Sequence, residues 1–278
     1  IGAKVTKFKV GDKVLIEPGV PDDTCEYCRT GRYNICPGVD FMATQPNYKG
    51  ALTQYMTHPE EWTYHIPEGM TTMEGALVEP AAVGMHAAVL GGAQPGKSIV
   101  ILGGGTIGLM VLQACISLGA TDITVVDVIE KRLELAKKLG AARVINGKEE
   151  DTVAVLRSEE MYGDHGVDLV FEAAGAVFTA QQAVQIVSRG GKIMMVGTQS
   201  KPVPIDFLKI NREVTIQTSF RYCNNFPQTI EAISSGRFNV KDMVTNIYDY
   251  EDVQKAFEEA IDPVKKTEMV KGVIKVAE

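Results

Sequence analysis

The chain has 278 residues, 45% of them hydrophobic and 23% charged, with a formal net charge of -7. That is the composition of a globular protein long enough for two domains, and the acidic balance, with no run of lysine or arginine, argues against a nucleic-acid partner. No apolar stretch reaches the roughly 18 residues of a membrane span and no secretory signal opens the sequence, so a cytoplasmic protein without a membrane partner is expected.

The sequence opens at Ile1, and "IGAKVTKFKVGDKVLI" reads as the middle of a β-rich domain, with a turn and then alternation through Val10, Val14 and Ile16. Something is expected to precede it. As far as Pro67, turn signals at Gly11-Asp12, Pro18-Gly19, Pro37-Gly38 and Gly50 separate short strands, of which "ALTQYMTH" and "WTYHIP" are the candidates. From Thr71 the apolar spacing becomes helical, and Pro80 marks a bend or a helix start.

After Gly91 strands and helices alternate. "KSIVIL", "DITVVD", "ARVIN", "DLVFEA" and "KIMMVG" read as strands, while "TIGLMVLQACISLG", "EKRLELAKKLG" and "VFTAQQAVQIVSRGG" read as helices. Strands with little polar alternation between helices predict an α/β doubly wound parallel sheet covered on both faces. The tail from Ser219 adds two helices, around "PQTIEAISSG" and "EDVQKAFEEA", and a last strand near "MVKGVIKV".

Gly103, Gly105 and Gly108 have G-x-G-x-x-G spacing at the junction of a predicted strand and helix. The first glycine makes the tight turn, the second lets a pyrophosphate approach the backbone, and the third lets the helix pack on the strand. Asp127 ends the next strand, 19 residues beyond Gly108, where a carboxylate binds ribose hydroxyls and repels a 2′-phosphate. The expected cofactor is therefore NAD rather than NADP. Arg132 either flanks the adenine or is a solvated helix charge.

Three of the five cysteines fall within twelve residues, in the pattern Asp22-x2-Cys25-x2-Cys28-x7-Cys36. Three thiolates and a carboxylate supply the four donors that zinc takes in a closed structural site; the competing reading is three free thiols in a loop. A site with every position filled by protein shapes a loop rather than performing chemistry. His58, His65, His86 and His165 show no ligand spacing and are expected to pack.

With "GRYNICPG", "LVEPAAVGMHAAVLGG", "VILGGGTIGL" and "SFRYCNNFPQTIEAISSGRFNVKDMVT", the sequence resembles the zinc-dependent medium-chain alcohol dehydrogenases, and among them the sorbitol (polyol) dehydrogenases, over its whole length. The resemblance implies a Rossmann domain at 79–218 and a discontinuous GroES-like catalytic domain at 1–78 and 219–278. It implies oxidation of a polyol to a ketose with NAD and zinc, and assembly as a homodimer or homotetramer through the sheet edge. It places a structural zinc on Asp22, Cys25, Cys28 and Cys36. It makes Glu79 a ligand of a catalytic zinc or of its water, the alternative being a helix-start carboxylate. Phe41, Thr44, Arg221 and Tyr222 are implied to line the polyol pocket, and Ala174, Gly197 and Phe220 to flank the dinucleotide; for the aromatics, plain core packing is the other reading.

The family's cysteine and histidine-glutamate ligands of the catalytic zinc lie upstream of Ile1, so this chain alone is expected to be inactive. Threonine, butanediol and secondary-alcohol dehydrogenases are the near alternatives. A noncatalytic NAD-binding protein is the alternative of another class.

Overall fold

The computed structural model describes residues 1–45 and 49–277. In the first part, β1 (Val14–Ile16) pairs antiparallel with β4 (Thr63–His65), and β2 (Gly19–Val20) pairs with β3 (Asp40–Phe41). Between β2 and β3 a single turn of helix, α1 (Glu26–Arg29), carries part of the cysteine cluster. The expected alternation differs in detail: Leu15 is the buried residue of β1, while Val10 is 86% exposed. "ALTQYMTH" forms no strand. There the Thr53 hydroxyl donates to the Tyr55 carbonyl (3.1 Å), a local turn that competes with ladder formation.

Two helices follow, α2 (Thr72–Ala76) and α3 (Val78–Gly91). α2 opens on a reciprocal capping box between Thr71 and Glu74. Pro80 lies in the first turn of α3, where its missing N–H costs no intrahelical bond.

Six parallel strands then build the central sheet: β5 (Ser98–Leu102), β6 (Asp122–Asp127), β7 (Arg143–Asn146), β8 (Val167–Glu172), β9 (Val187–Met195) and β10 (Thr215–Thr218), in the order β7-β6-β5-β8-β9-β10. The helices between them are α4 (Thr106–Ser117), α5 (Glu130–Lys138), α6 (Thr152–Leu156) and α7 (Val177–Ile186). The strand order reverses between β5 and β8, the position at which doubly wound sheets open a ligand crevice at their C-terminal edge.

β5 shows why the sheet is covered on both sides. Ile99 and Ile101 join one core with α3 and α4, while Val100 and Leu102 join a second core with α6 and α7. Gly84 brings α3 and α4 together: a Cβ there would lie 2.5 Å from the Met110 backbone. The first core extends to Leu15, Tyr222 and Phe226, so the β-rich part and the tail share it with the sheet.

α7 ends earlier than the pattern predicts. Val187 leaves the helix to pair with Val167, and Gly190, at φ 67°, turns the chain before it rejoins β8. The tail contains α8 (Phe226–Ser234), β11 (Val244–Asp249), α9 (Val253–Ile261), α10 (Lys265–Glu268) and β12 (Lys271–Lys275), with β11 and β12 parallel. Among the described residues, no helix is long and apolar enough to cross a membrane.

Candidate active site

The glycine turn is shaped by close packing. Gly103 has φ 110°, and a Cβ on it would meet the Ala174 amide nitrogen at 2.8 Å. At Gly108 a Cβ would fall 1.8 Å from the Gly103 carbonyl oxygen. Gly105 is different: its Cβ would find only an Arg132 guanidinium nitrogen, at 3.9 Å. Open space therefore lies in front of the N-terminus of α4, which has no side-chain cap, and free first-turn amides with room before them suit a pyrophosphate.

Asp127 is nearly buried beside this turn. One carboxylate oxygen accepts from the Gly104 amide (2.7 Å), the other from Val128 and Ile129 (2.8 and 2.9 Å). Arg132 is drawn in rather than solvated, with Nη1 3.7 Å from Asp127 and Nη2 donating to the Lys266 carbonyl; its buried Nε is unpaired. The Thr106 hydroxyl donates to the Val270 carbonyl, so the tail closes against the same turn.

At the end of β8, the fully buried Glu172 fixes the rim. It accepts from the Ala174 and Gly175 amides (3.0 and 2.9 Å), the Thr179 hydroxyl (2.7 Å) and the Gln199 amide (2.6 Å). Gly197 passes so close to Gly175 that a Cβ would lie 2.3 Å from its amide nitrogen. Ala174 and Gly197 thus sit side by side at the strand ends.

Glu79, in the first turn of α3, faces a cavity of about 1170 Å³ that Phe41 also lines. Burial pushes its carboxyl up, against the pull of Lys271, Tyr222 and Arg221. Tyr222 is buried between Phe41 and Phe226 (ring centroids 6.4 and 5.0 Å away), and its hydroxyl lies beside Glu79 without closing a hydrogen bond. The Arg221 guanidinium stacks on Phe41 (4.0 Å) and Phe220 (4.7 Å), and its Nη1 is buried without a partner. Phe220 itself is 51% exposed. Thr44 stands apart, exposed, its hydroxyl donating to the Phe41 carbonyl (2.8 Å). The structure therefore gathers Phe41, Glu79, Phe220, Arg221 and Tyr222 but not Thr44.

The ligand atoms of Asp22, Cys25, Cys28 and Cys36 all lie within 4.8 Å of one another. The edges of a tetrahedral zinc–thiolate site measure about 3.8 Å, so small adjustments would close it around an ion. The amides of Cys25 and Thr24 hold Asp22 down to about 2, keeping it an anionic donor. Desolvation first, then the neighbouring Cys25 and Cys36 sulfurs, push the Cys28 thiol up to about 12. Gly38 makes room, since a Cβ there would lie 2.7 Å from the Asp22 carboxylate. Donor chemistry and spacing both fit zinc.

Two family models match the sequence, an alcohol dehydrogenase GroES-like domain at residues 1–68 and a zinc-binding dehydrogenase domain at 106–235. The uncharacterized zinc-type alcohol dehydrogenase-like protein YdjJ of Escherichia coli is 63% identical over 278 residues, covering 100% of this chain and 79% of that protein. The chain belongs to the zinc-type alcohol dehydrogenase family. A sorbitol dehydrogenase of Bacillus subtilis is 42% identical, over 94% of this chain and 74% of its own length. In fold, the chain matches the crystal structure of an Escherichia coli oxidoreductase/dehydrogenase of unknown specificity involved in membrane biogenesis (TM-score 0.97, 62% identity, 100% of this chain and 79% of that one).

This zinc-type alcohol dehydrogenase is thus an oxidoreductase of a family that includes polyol dehydrogenases and works with zinc and a nicotinamide dinucleotide, and its glycine turn and cysteine lobe fit those two groups. Among the described residues, the lobe is the one place where three or more acidic, cysteine or histidine side chains gather as ligands. Glu79 has no such companions there. His58 bonds to the Glu17 carbonyl (3.0 Å) and His65 packs at a tilt against Phe8 (ring centroids 4.5 Å apart). Sequence reasoning passed over Glu17, Asn34, Glu172, Asn224 and Lys271. For Glu17 and Glu172 a signal existed, an acid closing an otherwise apolar strand; for the others, none did.

Proposed function

We propose that the protein oxidises a secondary hydroxyl of a sorbitol-like polyol to a ketose, with NAD as the oxidant. The observation that carries this reading is a cluster of polar groups, the Glu79 carboxyl with the Tyr222 hydroxyl and the Arg221 guanidinium near it, in which the Tyr222 hydroxyl and Arg221 Nη1 are buried without a hydrogen-bond partner. Such atoms cost free energy unless a ligand satisfies them, and a chain of hydroxyls offers both donors and acceptors. Relatives named sorbitol dehydrogenase and D-xylulose reductase support the same class.

In this reading Arg221 donates to substrate hydroxyls, while Phe41 and Phe220 hold its guanidinium plane. Glu79, its carboxyl raised by burial, takes the proton of the reacting hydroxyl. The hydride leaves carbon with both electrons of its bond, the hydroxyl oxygen becomes a carbonyl, and the proton passes to Glu79. A bound nicotinamide supplies the hydride acceptor. Zinc in the lobe supplies shape rather than chemistry. Asp127 favours an unphosphorylated ribose and hence NAD. The protein is proposed to be cytoplasmic and to assemble as a homodimer or homotetramer through the β10 edge.

The test is cofactor reduction by the purified protein with sorbitol, xylitol, butanediol, threonine and ethanol, each with NAD and NADP. A site built to bond several hydroxyls should favour the polyols over ethanol by about 100-fold or more in kcat/KM. A preference for butanediol or threonine would reject the polyol reading.

A further inference from the structure

The segment that presents Arg221 and Tyr222 to the crevice does not hold its own shape. Arg221 and Asn224 both occupy the left-handed region, at φ 53° and 56°, and non-glycine residues persist there only when their surroundings over-determine them.

Those surroundings are the cysteine lobe. Asn34 Nδ2 donates to the Phe220 carbonyl (2.9 Å), and Asn224 Nδ2 and Cys223 Sγ donate to the Gly31 carbonyl (2.6 and 3.1 Å). The Asn224 amide donates to the Tyr33 hydroxyl (2.9 Å). Gly31, Tyr33 and Asn34 all lie between Cys28 and Cys36, in the stretch whose two ends a lobe metal would pin. The four bonds join residues between 186 and 193 positions apart. Tyr33 is held from behind by Glu17, a fully buried carboxylate that accepts from Tyr33 (2.7 Å) and Tyr64 (2.9 Å).

We propose that the metal lobe is a positioning device for Arg221, with Asn224 transmitting the state of the Asp22, Cys25, Cys28 and Cys36 site to the Phe220–Asn225 loop. Among the four donors the Cys25 and Cys28 sulfurs lie 3.4 Å apart, the Cys28 sulfur lies 3.6 Å from Asp22, and Cys36 completes the cluster within 4.8 Å. A metal closing this loop fixes the Gly31 carbonyl and the Asn34 side chain. Those groups hold Asn224 and Phe220, and through them the direction of Arg221. The consequence for substrate rests on the polyol reading; the mechanical coupling does not.

The experiment is amide hydrogen exchange on zinc-loaded and zinc-stripped protein, with metal content measured, for the parent chain and for Asn224→Gly. That substitution keeps the left-handed backbone and removes the side-chain bond to Gly31. In the parent, zinc removal should accelerate exchange of the 220–225 amides by about tenfold and leave α4 unchanged. In Asn224→Gly the same amides should exchange fast in both states, and the KM for polyol should rise while kcat changes less.

Equal exchange in loaded and stripped parent protein would overturn the coupling, and so would a lobe that binds no zinc. An equal response to zinc in both chains would remove Asn224 from the path. A loop that responds to zinc in a protein that oxidises no polyol would sink only the substrate assignment.

Discussion

The glycine turn after β5 and the Phe220–Asn225 loop after β10 both lie at the C-terminal rim of the central sheet, and they are held in opposite ways. The turn is shaped by absence of side chains: Gly108 rests so close to the Gly103 carbonyl that no Cβ fits. The loop contains no glycine and keeps its left-handed residues through hydrogen bonds from the lobe, almost 200 positions away. A site made from backbone can be specified by six consecutive residues. A site made from side chains inherits its geometry from whatever holds those side chains, and so can be loosened from a distance.

The largest expected effect breaks the first region. Gly108→Val drives atoms into the Gly103 carbonyl, where neither backbone segment can yield, and overpacking of this kind costs about 1–3 kcal/mol or more. Dinucleotide affinity, measured by fluorescence titration, should fall by more than about 100-fold, with a lower Tm. Retained affinity would mean that the turn does not bind the cofactor.

Next, Glu79→Gln should lower kcat by about 100-fold while leaving dinucleotide affinity intact. The sign of the pH dependence follows from burial, which raises the carboxyl above its ordinary value of 4.5. The proton-accepting form is lost as pH falls through that raised value, so the parent enzyme should show an acidic limb above the usual carboxylate range. The variant should lack it; an unchanged limb would assign the titration to another group.

The smallest effect sharpens the contrast. Gly38→Ala places a methyl 2.7 Å from the Asp22 carboxylate and should weaken zinc binding in the lobe by roughly tenfold, as loss of supporting geometry does elsewhere. Competition with a metallochromic chelator measures it, and unchanged affinity would show that Asp22 is not a ligand.

What could be read in advance follows the same division. Most strands and helices from Ser98 to Met195 announce themselves because each carries its own apolar pattern, and the glycine spacing with Asp127 is equally local. The cysteine cluster is legible for the same reason, with all four donors inside fifteen residues. Where the reading fails, a tertiary partner decides: Val187 leaves its helix to pair with Val167, and "ALTQYMTH" looks like a strand but has no ladder to join. β10, β11 and α6 escaped notice because short segments carry too little periodicity. Nothing near Asn34 or Asn224 indicates that one bonds to Phe220 and the other to Gly31, since only the folded chain brings those segments together.

The bonds from Thr106 to the Val270 carbonyl and from Arg132 to the Lys266 carbonyl also have a consequence for biosynthesis. The residues that brace the glycine turn leave the ribosome more than 130 positions after Arg132, on the order of ten seconds later at ordinary elongation rates. Until then the nascent sheet carries its phosphate cradle with one wall missing.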